Sequence, residues 1–201
     1  MSKVCFALII SLFSTTLMAK SILVLGDSIS AGYGLETGKG WVTLLQQKFH
    51  QKDKSYKVFN ESISGDTTAG GLARINKALI QHNPELVLLE LGANDGLRGL
   101  SPKLMKSNLA EMVNRSQKSG AKVLLLSMRI PPNYGKRYVD MFYNVYPQLA
   151  EEMNIPYVPF ILEEVALVKE MMQKDGLHPN AKAQPIIADK IWQHIQPVLE
   201  K

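Results

Sequence analysis

Ser21-Ile22-Leu23-Val24-Leu25-Gly26-Asp27-Ser28 joins a short apolar run to a polar, glycine-bearing turn. Four successive apolar residues without polar alternation are what a strand covered on both faces requires, and such strands belong to parallel sheets. Leu86-Val-Leu-Leu-Glu-Leu91 and Val123-Leu-Leu-Leu-Ser-Met128 repeat the pattern, and Val58-Phe59 and Tyr157-Val158 are two weaker examples. Helix-like stretches lie between them. Trp41, Leu44, Leu45 and Phe49 mark one apolar face, Leu72, Ile75 and Leu79 a second, and Met105, Leu109, Met112 and Val113 a third that stops at Gly120. A last helix follows Asn180, with Pro185 near its first turn and Ile187, Ile191 and Ile195 on one face. Alternating strands and helices predict a three-layer α/β/α domain on a mainly parallel five-stranded sheet.

In such folds ligands bind beyond the carboxyl ends of the strands. The unusual polar residues of this chain occur at those ends. Gly26-Asp27-Ser28 follows the first strand, Ser62-Ile63-Ser64-Gly65-Asp66 the second, and Gly92-Ala93-Asn94-Asp95-Gly96 the third. A serine hydroxyl needs a base to take its proton, and the base needs a third group to orient it. Asp175-Gly-Leu-His178, closed by Pro179, offers a carboxylate and an imidazole three residues apart. Ser28 is thus the candidate nucleophile, His178 its base and Asp175 the orienting acid. Acyl transfer also needs donors for the developing oxyanion. The main-chain N–H groups of Ser28 and Gly65 and the side-chain amide of Asn94 are the candidates. Each block has a plainer reading by itself, since Gly, Asp, Asn and Ser all favour turns. Four such blocks in this order point to one site.

The chain resembles the SGNH (GDSL-type) hydrolases. The resemblance rests on Gly26-Asp-Ser-Ile-Ser-Ala-Gly-Tyr33, Ser62-Ile-Ser-Gly-Asp-Thr67, Glu90-Leu-Gly-Ala-Asn-Asp-Gly-Leu-Arg-Gly99 and Asp175-Gly-Leu-His-Pro-Asn180. Further likeness runs through Arg129 to Tyr138 and Glu163-Glu164-Val165. It implies a flavodoxin-like α/β/α fold, the roles just given for Ser28, Gly65, Asn94, Asp175 and His178, and catalysis without metal or organic cofactor. The substrates it implies are fatty acyl thioesters, lysophospholipids and simple aryl esters. Two other readings stand beside this one: a carbohydrate or small-ester acetylesterase, and a non-catalytic exported lipid-binding protein. The loop Gly96 to Pro102 and the segment Ile130-Pro131-Pro132-Asn133-Tyr134 follow strand ends, so Ile130, Pro131 and Tyr134 are the expected walls of an acyl groove. Met141-Phe142-Tyr143 adds either groove surface or helix packing.

Length and composition agree with one domain. The chain has 201 residues, 46% of them hydrophobic and 20% charged, enough for a sizeable core. Its net charge of +5 is scattered, which argues against a nucleic-acid surface and leaves a weak attraction to anionic lipid. The chain is expected to act as a monomer. Residues 1–19 read as a signal peptide: Lys3, an apolar stretch from Val4 to Phe13, then Leu17-Met18-Ala19 before the cut, with an uncleaved anchor as the alternative. The domain proper would be 20–201, exported, to the periplasm of a Gram-negative bacterium or beyond it. The single cysteine, Cys5, falls inside the leader, so the mature protein would carry no thiol. Gly34-Leu-Glu-Thr-Gly38-Lys39 is one residue short of a phosphate loop, and Gly32-Tyr-Gly34 lacks the third glycine of a dinucleotide fingerprint. His50, His82 and His194 lie apart on helix-like segments, where surface or capping roles are expected.

Overall fold

The computed structural model describes residues 20–53 and 55–200. The leader expected over 1–19, Cys5 included, lies outside the described residues. In chain order the elements are β1 (Lys20–Gly26), α1 (Ser28–Ala31), α2 (Trp41–Lys52), β2 (Tyr56–Asn60), α3 (Thr68–His82), β3 (Leu86–Glu90) and α4 (Ala93–Leu97). Then follow α5 (Pro102–Lys118), β4 (Lys122–Leu126), α6 (Lys136–Glu152), β5 (Tyr157–Val158) and α7 (Gln184–Leu199).

The five strands form one parallel sheet in the order β2-β1-β3-β4-β5. Every residue of β3 is buried, as is every residue of β1 after Lys20. Both faces must therefore be covered, which is why these strands read as unbroken apolar runs. Helices α2 and α7 pack on each other, as do α3 with α5 and α5 with α6, and these two groups make the outer layers. Trp41, Phe49, Phe142 and Tyr146 are the large fully buried side chains among the helices.

Where the chain leaves β1 the strand order reverses. The second strand lies on one side of β1 and the third on the other, so a crevice opens at the carboxyl ends of β1 and β3. That is the switch point at which open α/β sheets bind ligands.

Two elements differ from the sequence expectation. Helix α6 has no counterpart among the helices expected from sequence beyond the helix-packing alternative for Met141-Phe142-Tyr143, although Phe142, Val145, Tyr146, Leu149 and Ala150 are its buried residues at helical spacing. Pro147 stands inside it, and a proline there removes a helical N–H and masks the pattern. Phe142 is core rather than groove. The segment Gly96 to Pro102, read as a loop, is partly helical: its start belongs to α4, and Pro102 is the first residue of α5. His82 is also not a surface residue. Its ring stacks on Phe59 at 4.2 Å and pairs with Glu61 at 2.7 Å.

Candidate active site

The turn after β1 is built by two carboxylates. Asp27 caps α1, its Oδ1 accepting the Ile29 N–H at 3.0 Å. Glu90, the last residue of β3, accepts the Ser30 hydroxyl at 2.6 Å and the Asp27 N–H at 3.2 Å through Oε2. Gly26 is the register partner of Glu90, and a Cβ at position 26 would stand 2.6 Å from that oxygen. The glycine of the Gly-Asp-Ser turn is thus a steric requirement. Burial pushes the Glu90 carboxyl well up, and the nearby Asp27 charge pushes it further. Among the described residues its Oε1 has no hydrogen-bond partner, which a neutral acid tolerates far better than a buried anion would. Burial likewise raises Asp27 to about 6, against the opposing pull of the Ile29 N–H, His178 and Asn94.

Ser28 opens α1. The segment after β5 returns 150 residues later to meet it. Met172 and Pro179 form an antiparallel bridge, and the Gln173 N–H donates to the His178 carbonyl at 2.8 Å. Gly176, at φ +68°, lets the tip turn back on itself. Inside this hairpin, Asp175 Oδ1 accepts the N–H groups of Leu177 and His178, both at 3.0 Å. Asp175 Oδ2 lies 2.7 Å from His178 Nδ1, and His178 Nε2 lies 2.9 Å from Ser28 Oγ. Partial desolvation raises the Asp175 carboxyl, but the hydrogen bonds from His178 and Leu177 outweigh it and hold it at about 2. An ionised Asp175 can only accept, so Nδ1 carries the imidazole proton and Nε2 is left to accept from Ser28. The Tyr33 ring packs against His178, with centroids 4.7 Å apart, and the Gln173 amide donates to the Tyr33 carbonyl at 2.7 Å. These contacts tie the histidine hairpin to the serine turn.

Gly65 takes φ +81°, a left-handed conformation costly for any other residue, and its carbonyl accepts from Arg98 at 2.8 Å. The Asn94 amide donates to Asp66 O at 2.9 Å and Asp27 Oδ2 at 3.1 Å, which fixes the amide orientation; the longer bond, to Asp27, has to open for the amide to receive an oxyanion. A groove of about 90 Å³ opens beside Ser28, Asn94 and His178, walled by Leu97, Met128, Pro131, Leu162 and Leu177. Of the three expected wall residues, Pro131 lines it. Ile130 is buried and stands behind Gly96, while the Tyr134 hydroxyl donates to the Leu97 carbonyl at 2.9 Å and supports the wall from outside. Asp27, Glu90 and Leu177 sit within the quoted motifs but received no role from the sequence, and Leu162 carries no signal there at all. A wider cleft of about 690 Å³ lies at the amino ends of β4 and β5, near Lys122, Pro156 and His194, with no nucleophile and base side by side. The smaller space is the one beside the Ser28–His178–Asp175 array.

Comparison with known proteins agrees with this geometry. The profile of the GDSL-like lipase/acylhydrolase family matches residues 24–185. Esterase TesA of Pseudomonas aeruginosa is 48% identical over 195 residues, 97% of this chain and 96% of its own. The Escherichia coli protein named "Thioesterase 1/protease 1/lysophospholipase L1" is 45% identical, over 90% of this chain and 86% of its own. Among solved structures, the esterase EstA of Pseudoalteromonas sp., inhibited by monoethylphosphonate, superposes with a TM-score of 0.86 at 44% identity. That match covers 90% of this chain and all of EstA. The serine turn, the glycine and asparagine loops and the histidine hairpin all converge on one crevice of a parallel sheet, and the chain belongs to the GDSL-like lipase/acylhydrolase family of ester hydrolases.

Proposed function

We propose that the chain hydrolyses acyl esters and thioesters through a Ser28-His178-Asp175 triad and an acyl-enzyme intermediate. The observation that carries this reading is His178, bridging Ser28 Oγ and Asp175 Oδ2 at 2.9 and 2.7 Å. His178 Nε2 takes the Ser28 proton while Oγ attacks the acyl carbon. The oxyanion then rests on the N–H groups of Ser28 and Gly65 and on the Asn94 amide. His178 returns the proton to the leaving alcohol or thiol as its bond to the acyl carbon breaks. Water, deprotonated by the same imidazole, attacks the acyl carbon; the bond to Ser28 Oγ then breaks, His178 returns the proton to Oγ, and the acid leaves. Asp175 stays ionised throughout and stabilises the imidazolium.

The substrates we propose carry medium or long acyl chains, among them lysophospholipids. Leu97, Met128, Pro131, Leu162 and Leu177 give the groove apolar walls. Apart from Ile80, the exposed large apolar side chains all lie in segments leaving strand carboxyl ends or in the helical turns that follow them. Two of them stand at the site itself, Leu177 in the groove wall and Tyr33 against His178, and exposed apolar surface there suits an acyl chain or brief contact with a lipid surface. Among the described residues no helix is long and apolar enough to cross a membrane. Export to the periplasm is part of this proposal and rests on the leader-like pattern of residues 1–19. Chemical sequencing of the mature amino terminus should begin at Lys20.

The small groove volume favours a second reading, an acetyl or small-ester esterase. Hydrolysis of p-nitrophenyl esters from acetate to palmitate separates the two. An optimum at medium or long chains supports the main proposal; an optimum at acetate replaces it with the second.

A further inference from the structure

We infer that Arg74 is a positioning residue for the oxyanion donors, a role that rests on the triad reading above. Arg74 lies on α3, away from Ser28, His178 and Asp175 in sequence and in hydrogen bonding. Its guanidinium nevertheless reaches three points around the site. Nε donates to Asp66 Oδ2 at 2.8 Å, with Nη2 2.7 Å from the same oxygen in an ion pair; Nη2 donates to the Gly26 carbonyl at 3.2 Å, and Nη1 donates to the Glu61 carbonyl. Gly26 precedes the Asp27-Ser28 turn, and Glu61 and Asp66 bracket the loop that holds Gly65. The Asp66 carbonyl accepts one of the two Asn94 amide bonds. One side chain therefore ties together the supports of all three proposed oxyanion donors.

Arginine is the residue type that this arrangement demands. Its planar fork presents five donors in fixed directions, whereas a lysine ammonium is a point charge that cannot span three separate acceptors. The ion pair is sheltered, with the Arg74 and Asp66 side chains 21% and 12% exposed, so water does not easily take its place. Gly70 leaves the space that the Asp66 carboxylate occupies, since a Cβ there would overlap it. The Thr67 N–H fixes the other Asp66 oxygen at 3.1 Å. Removing the fork should loosen Gly65 and Asn94 while the His178–Asp175 pair stays as it is.

The test is steady-state hydrolysis of a p-nitrophenyl ester by Arg74→Lys, Asp66→Ala and Arg74→Ala, with Ser28→Ala as reference. In Arg74→Lys and Asp66→Ala, kcat should fall about 10- to 100-fold with KM within about twofold, as for loss of transition-state contacts. The acidic limb of the pH–rate profile should not move, and guanidinium ion should restore part of the Arg74→Ala rate. A kcat within about twofold of the parent, with only a lower thermal midpoint, would make the ion pair merely structural and overturn the inference. So would a limb that moves together with kcat. Should the Arg74 variants fail to fold, Asp66→Ala carries the same expectations. Turnover by Ser28→Ala would sink the triad reading itself; an inactive Ser28→Ala beside a fully active Arg74→Lys would sink the role of Arg74 alone.

Discussion

Asp175 and Asp27 are both aspartates beside one serine, yet their surroundings push them in opposite directions. At Asp175, hydrogen bonds from His178 and Leu177 overcome desolvation and hold the carboxyl at about 2. Its contribution to stability is present above the ordinary aspartate range and is lost as pH falls toward 2. At Asp27 burial wins and the carboxyl rises to about 6. The folded state then holds a proton that the unfolded chain has released, so stability falls as pH rises from about 4 to about 6. Asp27→Asn should flatten that slope, which urea unfolding at pH 4.5 and 7 would record; an unchanged slope would place the titration elsewhere. For catalysis, Asp175→Asn should lower kcat about 1,000- to 10,000-fold, because an amide can present its N–H to the ring and favour the wrong tautomer. Steady-state kinetics with circular dichroism as the folding check would decide it. Ser28, Asn94, Asp175 and His178 stand out in the sequence because their side chains carry reactive or donor groups, and Gly65 because only glycine takes its left-handed turn without cost. The supports do not. Glu90 reads as one polar break in an apolar strand, and Arg74 as an ordinary polar position on a helix; only folding brings each to the serine turn.

The short helix α4 carries Asn94, so how tightly it packs bears directly on the site. A methyl group at Gly96 would lie 2.6 Å from Ile130 Cγ2 and 2.7 Å from the Phe142 ring. Both neighbours are buried and neither has room to retreat. Gly96→Ala should therefore cost about 1–3 kcal/mol of stability by overpacking, read as a lower urea midpoint. A shifted α4 should also reduce kcat; a variant with parent-like midpoint and rate would show that α4 has slack. Strands and amphipathic helices were readable wherever one period ran without interruption, as in β1, β3, β4, α2, α3 and α5. Helix α6 shows what defeats such reading: Pro147 stands within an otherwise regular face. The short helices α1 and α4 are too brief to show a period at all, and what starts α1 is a cap, Asp27, that also reads as a turn residue.

For the whole molecule, sheet order matters more than any single motif. The reversal between β1 and β3 opens one crevice, and the segments after all five strands contribute to its surroundings. Continuous apolar strands announced a parallel sheet, but strand order depends on long-range pairing that local sequence does not encode. Likewise, no local signal could state that residue 178 meets residue 28. In the proposed reaction it is this meeting that makes Ser28 the nucleophile. The most direct measurement is mass spectrometry of the intact protein after reaction with a fluorophosphonate, with peptide mapping and ester hydrolysis measured in parallel. One phosphonyl adduct on Ser28, loss of hydrolysis in step with labelling, and neither labelling nor turnover in folded Ser28→Ala are the predicted results. An adduct on another residue, or substantial ester hydrolysis by folded Ser28→Ala, would contradict the account.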